Sequence, residues 1–484
     1  MRLSFYNTLS KSIQELNPVK DGTVSIYSCG PTVYDRAHIG NMRAFLFADV
    51  LQRTARVIGG YDVRWVMNIT DIDDKTIRNS TDGGERWHSG MGKHTSDPKH
   101  NLAAYTQYYE ARFIEDIATI GILRSHMIAM PRATDYIPAM QDLIRLIHQR
   151  GFAYVADGSV YFNLTAWQRA DTYGKLFKVD AENFREGVRI DADEYERDSV
   201  SDFVLWKGAK DGEPSWDFEI DGVNVPGRPG WHIECSAMSK VLLDVPFDIH
   251  TGGVDLRFPH HEDEIAQSKA GYGVEPAQFW CHNEFLEVEG KKMSKSLGNF
   301  FTLHDLTSQG LDALDIRFAM LSAHYASVYN FTFDGIAAAR KARMRVQEFI
   351  YDVWSAAGTQ SADVAALRDA VFGELATDIH TPKALAQIFS FINKADGASY
   401  NAETRLAMLA FLEELNGIFA VWHIGERPAE EAEVIPEFIL ALAERRLNAK
   451  KQRDFAAADA LRAEITAAGY TLKDTKDGYT IERG

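Results

Sequence analysis

The chain has 484 residues, 45% of them hydrophobic and 25% charged, with a formal net charge of −17. Those values suit a folded protein of roughly two to four domains and exclude a disordered polymer. No apolar run reaches membrane-spanning length, and residues 1–11 lack the cationic start and apolar stretch of a secretory signal. A cytoplasmic location without a membrane partner is therefore expected. The three cysteines, Cys29, Cys235 and Cys281, lie too far apart in sequence for a disulfide framework, which leaves reduced thiols for a metal or for catalysis. Net acidity does not exclude RNA, because a large acidic body can carry a local basic face.

Residues 23–29 are β-branched and apolar enough for a strand, and Gly30-Pro31 breaks it. Residues 39–58 carry apolar side chains at helical spacing, Gly59-Gly60 ends that helix, and residues 61–67 form a second strand. This βαβ unit is the first half of a nucleotide-binding α/β sheet, whose ligand belongs outside the carboxyl ends of the strands. His38-Ile39-Gly40-Asn41 falls at the strand-to-helix junction, where backbone N–H groups and the positive helix end attract phosphate. Gly40 lets a base or ribose approach the backbone, and His38 can donate to a phosphate oxygen as charge builds on it. An isolated string of this kind reads more readily as an exposed histidine near a helix start; its place after a strand and a Gly-Pro break raises it above chance.

Lys292-Met293-Ser294-Lys295-Ser296 precedes Gly298 in a short segment able to close over a triphosphate. Most Lys-Ser runs are solvated turns, but the complete string is much rarer. In Pro259-His260-His261-Glu262-Asp263-Glu264, Pro259 suits the first turn of a helix, so His260 and Glu264 share one face. His261 and Glu262 are expected to point away from it, behind the ligands or on the surface. Cys29 ends the first strand and Cys235 ends Trp231-His232-Ile233-Glu234-Cys235, so both thiols can reach the same sheet edge. Two thiolates, an imidazole and a carboxylate make a reasonable zinc set. Taken singly, each cysteine reads as a small buried hydrophobe, the reading kept for Cys281.

Together these strings resemble a known family. His38 to Asn41 and Lys292 to Ser296 are similar to the two signatures of class I aminoacyl-tRNA synthetases. Cys29-Gly30-Pro31-Thr32-Val33-Tyr34, Asn68-Ile69-Thr70-Asp71-Ile72-Asp73-Asp74-Lys75, the Trp231 to Cys235 string and residues 258–264 resemble the cysteinyl-tRNA synthetase family. The resemblance implies one Zn2+ per chain, held by Cys29, Cys235, His260 and Glu264. It implies ATP, with Mg2+, bound by His38, Gly40, Asn41, Gly252, Gly253, Asp255 and Lys295, and charge stabilisation by His38, Asn41, Lys292 and Lys295. Cys29, Thr70, Trp231 and His250 match positions lining the cysteine pocket; core packing for Trp231 and a helix cap for Thr70 are the plainer readings. Asn41 departs from the histidine frequent at the end of the first signature.

The implied activity is cysteine–tRNA ligation: L-cysteine is activated to cysteinyl adenylate, then passed to the 3′ end of tRNA(Cys), with zinc recognising the substrate thiolate. Four protein ligands would make a closed zinc site, so five-coordination or a loosely held Glu264 is required. A ligase joining cysteinyl adenylate to a small amine is one alternative, and a non-catalytic tRNA-binding regulator is another. The carboxyl-terminal third counts against the first, and the complete catalytic set against the second. The expected fold is α/β: a Rossmann-type parallel-sheet domain (1–123 and 230–334) split by a connective insertion that receives the acceptor end (124–229). A helical bundle (335–427) and a linker with a small anticodon-binding module (428–484) follow, and the expected state is a monomer.

Within that plan, residues 82–101, with His88, His94 and His100, read as a mobile surface loop in preference to a metal site. Helices are expected over 335–356, 361–376 and 402–424, and residues 428–436 read as a linker. Residues 440–484 carry nine lysines and arginines against seven acidic residues, with Arg445, Arg446, Lys450, Lys451 and Arg453 concentrated in one helix-like stretch. A solvated helix face is the common reading of such a run. The resemblance makes it part of an anticodon module in which Tyr470 or Tyr479 could stack on bases.

Overall fold

The computed structural model describes residues 1–81, 83, 86–177, 202–294, 297–428, 436–452, 454–468, 470–475 and 478–483. It divides into two compact units, 1–425 and 426–484. In the first, five parallel strands form the central sheet: β1 (Thr23–Ser28), β2 (Asp62–Met67), β3 (Met127–Ala129), β4 (Phe247–Gly253) and β5 (Ala277–Asn283). Their spatial order is β5-β4-β1-β2-β3, the doubly wound order in which the chain reverses direction between β1 and β4. Register is tight across that reversal, with His250 on β4 opposite both Tyr27 on β1 and Trp280 on β5. Helix α1 (Ile39–Val57) crosses from β1 to β2, as the apolar spacing requires, and Gly60 at φ +70° follows its end. Helices α2 (Trp231–Leu243) and α3 (His260–Tyr272) flank β4 in sequence and pack on the opposite face.

The strand Met127–Ala129 lies inside the span assigned to the insertion, yet pairs in parallel with β2 as the sheet's edge. Between β3 and β4, an antiparallel sheet is built from Ala153–Ala156, Ser159–Phe162, Phe203–Gly208 and Gly227–Pro229. It is tied back to the segment after β2, because Asp74 accepts from Lys207 Nζ at 2.6 Å and also from Arg228. Past β5, helices Phe333–Trp354, Val364–Ala376, Thr381–Ile392 and Ala402–Phe419 share a hydrophobic core with α1 and the sheet. The expected helix over 402–424 stops at Phe419, where Ala420 turns left-handed at φ +53° and Asn416 caps the turn through Val421 and Trp422. The helix Thr381–Ile392 was not anticipated.

One buried ionic knot fastens this helical region to α1. Asp49, with no exposed surface, accepts from Arg53 Nε at 2.9 Å and from Arg317 at 2.7 Å. The two arginines also reach backbone carbonyls of Gly121, Ile120, Gly417 and Phe419.

The segment expected to be a mobile loop is anchored in its described part. Asp97 caps a helix over Pro98–Thr119 that includes His100; His88 stacks on Tyr108, and His94 Nε2 lies 3.0 Å from the Ser80 carbonyl. The three histidines belong to no common metal-ligand group among the described residues.

The second unit contains helices Glu437–Lys451 and Phe455–Ala467 and a hairpin of Tyr470–Thr475 with Gly478–Arg483. Its small core is Ile439, Ala443, Ile465 and Leu472, with Tyr470 and Tyr479 packed against it. Arg446 is buried, so the basic run is not one uniform exposed face; Arg445 and Lys451 are exposed. Arg453 and most of the 428–436 linker lie outside the described residues.

Candidate active site

Cys29 leaves the end of β1, and its N–H is held by the Thr251 carbonyl of β4 at 3.2 Å. Cys235, in the second turn of α2, brings its Sγ to 4.0 Å from that of Cys29. His260 and Glu264 sit one turn apart at the start of α3, 3.1 Å between Nε2 and Oε1. The four ligand atoms all lie within 4.8 Å of one another, so the sequence-derived quartet converges at the reversal point of the sheet.

The electrostatics of the quartet suit a cation. Burial pushes the Cys29 thiol up; its hydrogen-bonded neighbour Cys29, and then burial, push Cys235 well above the usual thiol range. Burial also holds His260 well below the ordinary imidazole range, so its ring is a neutral lone-pair donor. Glu264 Oε1 is buried and makes no hydrogen bond although His260 Nε2 is 3.1 Å away, while Oε2 lies 2.8 Å from His250 Nε2. Such groups are costly when left as they stand, and a bound divalent ion would relieve all four.

His261 does not point away. Its Nε2 is 3.3 Å from Cys29 Sγ, and with Cys29, His250 and Glu264 it forms a second group of ligand atoms within 4.8 Å. Glu262 is not at the surface either: it is buried and accepts from the backbone N–H groups of Gly174 and Leu176. The helical-wheel argument failed because α3 is buried on every side from His260 to Gln267, so no face of that stretch meets water. Pro259 lies one residue before the helix, as its N-cap.

Further histidines line the cleft. His232 Nδ1 contacts His260 Nδ1 at 2.8 Å, and His282 Nε2 contacts His261 Nδ1 at 2.8 Å. Neither was singled out. His282 sits near the carboxyl end of β5, where ligand-facing residues of parallel sheets collect, and that position could have marked it. Trp231 is half-buried and stacks on the His260 ring at 4.3 Å, so it covers a ligand instead of filling the core. Thr70 caps no helix; its hydroxyl donates to Glu234 Oε2 at 2.9 Å. Burial raises Glu234 well above the usual carboxyl range, and its other oxygen has no hydrogen-bond partner. Cys281 is buried, its thiol facing the Tyr6 carbonyl, in keeping with a packing role.

Burial also raises neighbouring Asp71 to about 6, against two hydrogen bonds from Thr134. A carboxyl raised on folding holds its proton more tightly in the folded chain. Its contribution is complete below about pH 4 and is lost as pH rises through about 6. Asp71→Asn is expected to flatten the fall of the thermal midpoint between those pH values; equal slopes in both proteins would refute the assignment.

The first signature forms the start of α1. His38 is the N-cap: its Nδ1 accepts from the Asn41 N–H at 3.2 Å, and the Asn41 side-chain oxygen accepts from the His38 N–H at 3.3 Å. With Nδ1 accepting, a neutral ring carries its proton on Nε2. Asn41 thus takes the reciprocal place in a capping box. A Cβ on Gly40 would meet Met293 Cε and His38 Cε1, each at 2.9 Å, so the two signatures touch at this glycine. Asn299 braces the second signature, accepting from Ser294 N–H at 2.9 Å and donating to the Lys292 carbonyl. Lys295 and Ser296 lie outside the described residues. At the end of β4, a Cβ on Gly252 would sit 2.8 Å from the His261 ring. Burial raises the Asp255 carboxyl, with Lys292 opposing.

A parallel sheet in this order, with a capped helix start and a lysine-bearing hairpin at its carboxyl edge, is the catalytic architecture of a class I aminoacyl-tRNA synthetase. Residues 15–341 match the family described as tRNA synthetases class I (C) catalytic domain. The fold is similar to that of Mycobacterium tuberculosis methionyl-tRNA synthetase in complex with methionyl-adenylate, with TM-score 0.56, 14% identity and coverage of 90% of this chain and 96% of that one. In sequence, the chain is 41% identical to the cysteine–tRNA ligase of Solibacter usitatus, over 100% of both chains. It is 40% identical to that of Leptospira interrogans serogroup Icterohaemorrhagiae serovar Lai, over 99% of this chain and 98% of the relative. The chain belongs to the cysteine–tRNA ligase family, and is an aminoacyl-tRNA ligase. Among the described residues no helix is long and apolar enough to cross a membrane.

Proposed function

We propose that the chain activates L-cysteine with Mg2+-ATP to cysteinyl adenylate and pyrophosphate, then transfers the cysteinyl group to the 3′ end of tRNA(Cys). The observation that carries this reading is the convergence of Cys29, Cys235, His260 and Glu264, in a chain that also carries the two signatures. These residues would hold one Zn2+, which supplies a Lewis acid that favours the thiolate of substrate cysteine over the hydroxyl of serine. The His250 contact gives Glu264 an alternative partner, as a ligand that yields to an incoming sulfur requires.

The chain's own groups do the rest by position and charge. His38 donates through Nε2–H to a phosphate oxygen, and Lys292 and Lys295 offset the charge that develops there. Gly40, Gly252, Gly253 and Asp255 border the nucleotide, while Asn41 fixes the His38 ring through its backbone N–H and the His38 backbone through its side-chain oxygen. Thr70, whose hydroxyl donates to Glu234 and accepts from Asn68 Nδ2, has one oxygen lone pair left for the substrate ammonium. Trp231 and His250 wall the pocket, and Cys29 belongs to both pocket and metal set. The insertion that follows the edge strand Met127–Ala129 receives the acceptor end, 335–427 form a bundle, and 428–484 contact the anticodon.

The test combines metal analysis with product analysis. About one zinc per chain, lost on chelation together with cysteine-dependent pyrophosphate exchange, is expected. Incubation with cysteine, ATP and total tRNA should give acid-precipitable cysteinyl-RNA. Exchange without that product would point to a small-amine acceptor, and no exchange at all would refute the catalytic reading.

A further inference from the structure

Arg43 lies on α1 one turn beyond the N-cap His38, and only 3% of its surface is exposed. Its guanidinium donates to five backbone carbonyls in two separate chain segments. Nη1 reaches Glu284 at 2.8 Å and Phe285 at 2.6 Å; Nη2 reaches His324 at 3.1 Å, Tyr325 at 3.4 Å and Ser327 at 2.6 Å.

Those segments have a shared property. Residues 284–285 run directly into the strand Leu286–Val288, and residues 324–327 lead into the strand Tyr329–Phe331. The two strands pair in parallel, Leu286 opposite Tyr329, so both enter from the end that Arg43 holds. The first also pairs with Lys291–Lys292, Glu287 opposite Lys292, and so carries the start of the second signature. On the far side of that signature the chain returns to α1: the Ile39 N–H donates to the Phe301 carbonyl at 3.0 Å, and Thr302 bridges His38. The stretch between is therefore pinned at both ends to the helix that begins with the first signature.

The geometry points to Arg43 as a positioning residue that sets the height of the Lys292 hairpin over the His38 helix start, and so the ATP geometry of the activation step. This rests on the reading of the two signatures as the ATP site. The five carbonyls are reached by the four N–H groups on the two terminal nitrogens of the planar fork, one of Nη2's being shared between two carbonyls; lysine has three donors on one flexible centre and cannot span both segments. Among the described residues, no hydrogen bond of the Arg43 clamp involves a member of the metal quartet, so loosening the clamp should disturb ATP and spare cysteine.

The test is cysteine-dependent pyrophosphate exchange with wild type, Arg43→Lys and, as a buried-arginine control, Arg343→Lys. Arg343 bonds Asp315 and the Val421 carbonyl in the helical region. For Arg43→Lys, kcat/KM for ATP is expected to fall about 10- to 100-fold, the size of effect that misplacement by about 1 Å produces. KM for cysteine and zinc content should stay within about twofold of wild type, and Arg343→Lys should lose thermal stability without this split. Unchanged ATP parameters, or ATP and cysteine parameters moving together, would overturn the proposal while leaving the proposed function intact. A wild type without exchange would overturn both. Should Arg43→Lys fail to fold, Tyr329→Leu removes the ring 5.6 Å from the guanidinium and keeps all five carbonyls. A smaller ATP-specific loss there supports the proposal, and no loss refutes it.

Discussion

Cys235→Ser is expected to lose its zinc and to lower cysteine-dependent pyrophosphate exchange by more than about 100-fold. Removing a partner that merely orients a ligand costs about 10–100-fold in metal affinity or activity, so removing a ligand should cost more. The position is unforgiving: Cys235 is buried, its sulfur is 4.0 Å from that of Cys29, and His260 and Glu264 close the set. A serine hydroxyl there is a weaker ligand with a far higher pKa. Because His38, Gly40 and Met293 belong to different elements, ATP binding should survive. Zinc per chain, exchange rate and ATP affinity, measured on one preparation, decide the matter. Full-rate exchange, or zinc retained at one per chain, would show that the metal set is wrongly assigned.

The largest expected effect on stability lies elsewhere, at Asp49. Its carboxylate has no exposed surface and is shared by Arg53 and Arg317, which are themselves buried. Asp49→Ala would leave two guanidinium groups in the core without their counter-charge. Breaking a buried ion pair by removing one partner costs about 3–5 kcal/mol, mostly the desolvation of the charge left behind. The expected result is a lowered urea midpoint for unit 1–425, and expression largely as aggregate at elevated temperature. Asp49→Asn, which keeps acceptor capacity, should lose less. A change under about 1 kcal/mol in Asp49→Ala would mean that the backbone carbonyls of Ile120, Gly121, Gly417 and Phe419 alone hold the arginines.

Much of the site was legible in local patterns. The strand, Gly-Pro break and helix around His38 follow from side-chain period and turn chemistry, and both are properties of a few neighbouring residues. The spacing of His260 and Glu264 also needs only a helix. The same reasoning turned His261 away from the site, where it in fact reaches Cys29, and left Glu262 either behind the ligands or at the surface, whereas it is buried. Burial on every side comes from α2, β4 and β5, which lie elsewhere in the sequence. His232 and His282 were overlooked for a similar reason: one belongs to α2 and the other to β5, and neither has a local partner to mark it.

The basic run after Glu437 shows the opposite limit. Its charge is plain in the sequence, but Arg446 turns inward against the small core while Arg445 and Lys451 face water. Likewise, the helix ending at Phe419 was read too long, because the apolar spacing continues while Asn416 ties down the following turn.

By itself, the sequence marked out the four candidate ligands and a phosphate-binding helix start, because each rests on residue types that chemistry restricts: thiols, an imidazole, a carboxylate, and a histidine at a helix start; the reaction class followed from the resemblance of the motifs to a known family. Only the tertiary structure decided how those residues are held. The extra histidines behind the candidate ligands, the Asp49 knot and the five-carbonyl grip of Arg43 all join segments tens to hundreds of residues apart. Local periodicity carries no information about such pairs, since their geometry is set by the order of strands in the sheet and by what packs across it.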